Sequence, residues 1–216
     1  MKRLSIILIL SLIALFLLAS LTLGQQTQTA VAKYGKPKID AQMDEVWKSA
    51  KEYVTDRYVS GTKGKVAYAK FRVLWDEDSI YVWAEVYDSL LNKDNTNPWE
   101  QDSVEIFVDE GNEKASSYDA NDAQYRVNFD NYQSFGTNAS RDYFVTATRK
   151  TDFGYVVEAQ IKMRTKKLAE GMVIGFDLQV NDANMFGNRV GIVAWNEWDN
   201  ESWRNPSYFG NLKLEK

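Results

Sequence analysis

The sequence contains neither cysteine nor histidine. Without thiols there are no disulfides, no thiolate metal sites, no cysteine nucleophile and no lipid-modified cysteine. Without imidazole there is no Ser-His-Asp triad, no imidazole zinc site and no histidine-ligated haem. Positive charge is also scarce. Of 26 basic residues, Lys2 and Arg3 fall in an N-terminal segment set aside below, and the other 24 face 30 acids, a formal net charge of −6. That balance argues against a phosphate-seeking surface, and so against nucleic acid as a partner. What remains for chemistry is carboxylates, Lys, Tyr, Ser and Thr, together with seven Trp in an aromatic content of 13%. This inventory suits carbohydrate recognition.

Lys2 and Arg3 precede an apolar run from Leu4 to Leu23 broken only by Ser5, Ser11, Ser20 and Thr22. A charged start and an apolar centre are the marks of a secretory signal. A run of about 20 apolar residues is also long enough for a membrane anchor, and the sequence leaves that alternative open. Residues 1–24 are therefore read as signal peptide or N-terminal anchor, 25–30 as a flexible Gln/Thr linker, and 31–216 as one folded module. Export places the module outside the cell, secreted or at the cell surface.

In D-A-Q-M-D-E-V-W either Asp40 or Asp44 is placed to cap a short helix that turns Val46 and Trp47 inward. From Lys65 onward the apolar pattern changes to period two. K-V-A-Y-A-K-F-R-V-L-W and S-I-Y-V-W-A-E-V-Y-D read as a hairpin joined at Asp76-Glu77-Asp78. Further strands are expected at Ser103–Asp109, Ala123–Phe129, Tyr143–Lys150, Tyr155–Met163, Val173–Asn181, Arg189–Trp195 and Tyr208–Leu214. Many short strands, polar turns and hardly any helical period give an all-β fold, an antiparallel β-sandwich of jelly-roll type with one short N-terminal helix.

The stretch L-N-K-D-N-T-N-P-W-E-Q-D-S-V-E-I-F-V-D (Leu91 to Asp109) sets a loop ending on Trp99 before a strand. Side chains alternate across the pleat, so Val104, Ile106 and Val108 share one face and Glu105 and Phe107 the other. Two further strands repeat the division. Tyr125, Val127 and Phe129 oppose Gln124, Arg126 and Asn128; Phe176, Leu178 and Val180 oppose Asp177, Gln179 and Asn181; Arg189 opens the next strand in a similar position. Arg, Gln, Asn and Glu each present two atoms in a fixed fork, which matches vicinal hydroxyls of a pyranose. Trp198 and Trp203 fall in a polar loop, W-N-E-W-D-N-E-S-W-R-N-P, where burial is harder than in a strand. One of them facing Trp99 would sandwich a sugar ring. A core-edge tryptophan and a solvated glutamate are the plainer alternative for Trp99 and Glu105.

The phrases from Leu91 to Glu110, D-A-Q-Y-R-V-N (Asp122 to Asn128), V-I-G-F-D-L-Q-V-N-D-A-N (Val173 to Asn184), R-V-G-I-V (Arg189 to Val193) and F-G-N-L-K-L (Phe209 to Leu214) resemble carbohydrate-binding module family 9, the module appended to thermophilic xylanases. The resemblance covers nearly all of Val31 to Lys216. It implies a non-catalytic β-sandwich that grips the reducing-end sugars of cellulose, xylan and related plant cell-wall polysaccharides and oligosaccharides. Carried over position by position, Trp99 and Trp203 form the aromatic clamp, and Glu105, Arg126, Gln179, Arg189 and Asn200 hydrogen-bond the terminal sugar. It also implies structural calcium, for which the acidic loops offer oxygen ligands that the sequence does not place. The family usually sits within a larger hydrolase, whereas a signal segment and one module account for these residues, so a separate glycoside hydrolase is the expected partner. Trp198 is an extra loop aromatic without an assigned role.

Two other functions use residues present here. A glycosidase would pair Glu105 with Asp102, Asp177 or Glu197 as acid and nucleophile, but a neighbouring Arg126 would lower the Glu105 pKa, the wrong direction for a general acid. A haem-binding sandwich would need Met43, Met163, Met172 or Met185 as ligand, with Lys opposite.

Overall fold

The computed structural model describes residues 26–216, and the export segment expected over 1–24 lies outside the described residues. The strands are β1 (Thr29–Tyr34), β2 (Tyr53–Val54), β3 (Arg57–Ser60), β4 (Tyr68–Trp75), β5 (Ser79–Tyr87), β6 (Ser103–Asp109), β7 (Asp122–Asn128), β8 (Gln133–Phe135), β9 (Phe144–Thr151), β10 (Gly154–Lys162), β11 (Val173–Ala183), β12 (Arg189–Ala194) and β13 (Gly210–Glu215). They form one continuous hydrogen-bonded sheet in the order β8-β7-β6-β11-β13-β1-β4-β5-β10-β9, with β12 and β3 branching from β11 and β2 lying on β4. The sheet curls so that β6, β7 and β11 face β4, β5 and β10 across a shared apolar core. Phe71 of β4 joins the layers, its ring 6.1 Å from Phe176 of β11 and 5.9 Å from Trp195. The expected β-sandwich is therefore the fold.

Local chemistry explains the elements. The β4–β5 hairpin turns at Asp76, whose carboxylate accepts the backbone N–H groups of Asp78 and Ser79, both at 2.9 Å. A short side chain that mimics a backbone acceptor in this way is the usual reason for Asp at such a turn. Strand β11 is long because its two halves have different partners on one edge. Its first residues pair with β13 and its last with β12, while β6 lines the other edge along Gly175–Asn181.

The fold departs from expectation in four places. The short N-terminal helix is a 3-10 turn at Glu45–Ser49, and Asp44 makes no side-chain cap there, accepting instead from the backbone N–H of Lys38 at 2.7 Å. Its geometry is set from below. Glu158 of β10 accepts the N–H groups of Asp40 and Ala41 and the Trp47 indole N–H, at 2.9, 2.8 and 2.9 Å, which ties the segment down before an α-helical turn can develop. Second, order does not wait for Val31, because Thr29 and Ala30 of the expected linker already pair with β13, and Ala30 is buried. Third, the sandwich is not wholly antiparallel, since β1 runs parallel to both β13 and β4. No tight turn joins β1 to either neighbour, so nothing forces reversal. Fourth, β1 was not among the expected strands, and neither were β2, β3 and β8, which span two, four and three residues, too few to show a period.

Candidate functional site

The outward face of β6, β7 and β11 carries polar side chains, yet these are among the least exposed groups in the molecule. Glu105 is 2% exposed and Asn181 fully buried. Ionised groups are rarely enclosed unless paired, so the arrangement needs a full account of partners. Register supplies it. Glu105 lies directly opposite Arg126 on β7 and opposite Gln179 on β11. One carboxylate oxygen of Glu105 accepts from Arg126 Nε at 2.8 Å and Asn181 Nδ2 at 2.7 Å, and the other accepts from Gln124 Nε2. Burial works against the charged form of Glu105, but the Arg126 guanidinium and the Asn181 and Gln124 amides outweigh it and hold the carboxyl below its usual range. The solvated glutamate of the plainer alternative is thus excluded.

Asn181 is the hub of this floor. Its amide nitrogen donates to Glu105 and to Ser103 Oγ, and its carbonyl oxygen accepts from Arg189 Nη1 at 3.1 Å and Gln179 Nε2 at 3.4 Å. A carboxylate offers about four lone-pair sites and a guanidinium five donors. Glu105 therefore keeps one acceptor site free. Arg126 spends one donor on Glu105 and one on Ser134 Oγ at 3.1 Å, which leaves three for a ligand.

Above the floor opens a pocket of about 540 Å³ lined by Trp99, Glu105, Arg126, Gln179, Arg189, Asn200 and Trp203, with Phe107, Gln124, Phe135, Gly136 and Thr137. All seven residues carried over by resemblance line this one pocket. Trp99 is presented by the 3-10 turn Pro98–Glu100 just before β6, with 44% of its surface exposed. Trp203 is 51% exposed, its indole N–H donates to the Asn200 carbonyl at 3.0 Å, and the Arg204 guanidinium packs on its ring at 5.5 Å. Asn200 adopts a left-handed φ of 57°, a conformation Asn tolerates better than most residues. Glu100 locks the Trp99 turn to β12 by accepting the Arg189 N–H at 3.0 Å.

Gln124 and the hub Asn181 were visible as members of polar strand faces but not as site residues. Phe135 gave no signal because β8 is too short to show alternation, and Thr137 gave none because it lies in the turn after β8. Trp198 is not part of the pocket: it is half-buried, packing on Tyr208 at 5.5 Å and under Arg57 at 5.6 Å.

The acids that a glycosidase would need are engaged elsewhere. Asp177 accepts the backbone N–H groups of Leu178, Asn196 and Glu197, and Glu197 accepts that of Ser202 at 2.7 Å. Asp102 belongs to a separate cluster with Asp88 and Asp182, in which ligand oxygens lie within 4.8 Å of one another. There Asp102 accepts the N–H groups of Asn92 and Ala183, while Asp88 Oδ2 and the Tyr155 hydroxyl are buried without a hydrogen-bond partner. Burial first, and mutual repulsion second, push the Asp102 carboxyl upward, and burial pushes Asp88 and Asp182 the same way. Three converging carboxylates with an orphaned oxygen fit a hard, oxygen-seeking cation such as calcium. Of the methionines, Met43, Met172 and Met185 are on the surface and Met163 is in the core.

A β-sandwich holding half-exposed indoles over a satisfied polar floor defines a binding module for small hydroxyl-rich ligands. Residues 39–216 match the model of the carbohydrate family 9 binding domain-like family, and the chain belongs to that family. It is 55% identical over 187 residues to endo-1,4-beta-xylanase A of Thermotoga neapolitana, which covers 87% of this chain and 18% of that protein. It is 47% identical over 194 residues to exoglucanase XynX of Acetivibrio thermocellus, 90% of this chain and 18% of that one. The chain thus spans about a fifth of the length of these relatives. Among solved structures, a family 9 module from Caldicellulosiruptor kristjanssonii in complex with cellotriose superposes with a TM-score of 0.82 at 38% identity, covering 87% of this chain and 94% of that one. The same module in complex with glucose gives the same score and identity, covering 96% of that chain.

Proposed function

We propose that this module is an exported, non-catalytic sugar binder that takes the reducing-end sugars of cellulose, xylan or related oligosaccharides between Trp99 and Trp203. The observation that carries the reading is the floor of the slot: Glu105, Gln179 and Arg189 are tied to Asn181 and Arg126 to Glu105 and Ser134, yet the group keeps free donors and acceptors on the lining of the pocket. Two half-exposed indoles on the same pocket supply apolar faces for the C–H surface of a pyranose. The solved relatives hold cellotriose and glucose, ligands of this class. An ionised Glu105 suits hydrogen-bond acceptance and not proton donation, which speaks against glycosidic chemistry at this floor.

At about −0.3 kcal/mol per heavy atom, a disaccharide of about 23 such atoms reaches about −7 kcal/mol, a micromolar Kd. That strength suits reversible attachment to a polymer on behalf of a separate glycoside hydrolase. Calcium, held by Asp88, Asp102 and Asp182, would have a structural role, linking the end of β5, the residue before β6 and the end of β11. Titration of the protein against cello-oligosaccharides with free and with borohydride-reduced termini tests chain-end recognition. Occupancy of the slot, followed by the indole signals of Trp99 and Trp203, is expected only with the free terminus, and equal occupancy there by both would overturn it.

A further inference from the structure

Beyond the slot, the polar face continues past Arg126 to Asn128, two residues and on the order of 7 Å further along β7. There a second cleft of about 470 Å³ opens between the loop carrying Lys93 and Asn95 and the turn that follows β7. Its floor is as firmly built as that of the slot. Asn128 Nδ2 donates to Gln101 Oε1 at 2.8 Å, and Gln101 Nε2 donates to the Asn95 carbonyl at 2.6 Å, both side chains being buried. Asn128 Oδ1 accepts the N–H groups of Asp130 and Tyr132 at 3.0 and 2.9 Å, which fixes the turn on the opposite wall. Lys93 and Asp130 pair across the cleft. Tyr132 stands over this floor with 59% of its surface exposed, more than either indole of the slot. Pro98 lines the cleft and Trp99 lines the slot, so the turn Pro98–Glu100 is a wall common to both.

An exposed aromatic beside fixed amides and a charged pair is the same chemistry that the slot offers, repeated in a cleft less enclosed than the slot. The geometry points to a second saccharide site in this cleft, with Tyr132 as stacking platform and Lys93, Asn95 and Asp130 as hydroxyl partners, for a neutral glycan unit within a chain. This deepens the sugar-binding reading of the slot and rests on it for the ligand class. An open cleft encloses no terminus, so it should accept a chain whose reducing end is blocked. It should also work when the slot is weakened by Trp203→Ala, a residue outside its lining.

The test uses cellotetraitol, in which the reducing end is an alditol, with cellobiose as the slot ligand and amide NMR as the readout. Cellotetraitol is expected to shift the signals of Asn95, Asn128 and Tyr132 in the wild type and in Trp203→Ala alike. Tyr132→Ala is expected to weaken that binding by ~2–12-fold, the range of a single aromatic contact, with cellobiose binding unchanged. Unmoved signals in the wild type, or shifts that vanish with Trp203→Ala, would overturn the second site while leaving the slot intact. Cellobiose binding insensitive to Trp203→Ala would instead overturn the reading of the slot.

Discussion

Replacing Trp203 by alanine removes one plate of the slot while touching little else. The indole is 51% exposed, and its one hydrogen bond goes to the carbonyl of Asn200, three residues away. A fully enclosed aromatic buries ~150–250 Å², so the exposed half offers ~75–125 Å² to a ligand. At ~25 cal/mol per Å² complete coverage is worth ~2–3 kcal/mol. That exposed surface already excludes what the Arg204 guanidinium covers, and a sugar ring lying on one face of the indole reaches only part of it. The share left to a sugar is therefore ~1–2 kcal/mol, a ~5–30-fold loss of cellobiose affinity by calorimetric titration. The fold should hardly notice, because surface substitutions outside special contacts stay within ~0.5 kcal/mol, or ~1–2 °C in Tm for a domain of this size. Trp203→Phe keeps an apolar face but loses the Asn200 bond and should fall between the two. A Trp203→Ala protein with wild-type Tm and a Kd within about twofold of wild type would refute the clamp.

Other perturbations separate floor from plates. Glu105→Ala leaves Arg126 buried and unpaired, and breaking a buried pair on one side costs about 3–5 kcal/mol, so urea unfolding should shift by that order; a shift under about 1 kcal/mol would show the pair to be solvated. Because the folded pKa of Glu105 is depressed, its contribution is present above the unfolded value of ~4.3 and lost only as pH falls through the lower folded value. Cellobiose affinity should accordingly be flat from pH 5 to pH 8, and a marked fall by pH 5 would mean that Glu105 titrates there. If Asp88, Asp102 and Asp182 hold calcium, EDTA should lower Tm by ~5–11 °C for metal originally at 100 times its Kd, with recovery on adding Ca²⁺. An unchanged melt in EDTA would remove calcium from the account.

The strand alternation was legible because β6, β7 and β11 each run seven residues or more with one apolar and one polar face. From that alone Glu105, Arg126 and Gln179 could be set on one surface, but not recognised as buried. Their enclosure depends on loops from distant parts of the chain, the turn Pro98–Glu100 and the segment around Asn200, which no local period describes. Asn181 shows the same boundary from the other side. Its face was evident, yet its role as hub follows from register, with Ser103 opposite and Glu105 a diagonal step away, and register is fixed only when the strands pair. The cluster of Asp88, Asp102 and Asp182 was out of reach for the same reason, since strand ends far apart in sequence bring it together.

The resemblance and the alternation succeeded on different residues, which bears on how the slot is built. Alternation found the floor, where hydrogen-bond geometry requires planar forked side chains at fixed pleat positions. It said nothing firm about Trp99, Asn200 and Trp203, which sit on loops where an aromatic is free to face in or out. Only the family likeness chose Trp203 over Trp198, and the reason is now physical: Trp198 is held by Tyr208 and Arg57, whereas Arg204 backs Trp203 and leaves the indole half-exposed at the opening. The floor is thus written into the sheet, while the plates depend on which loop aromatic the surrounding cations and rings leave free.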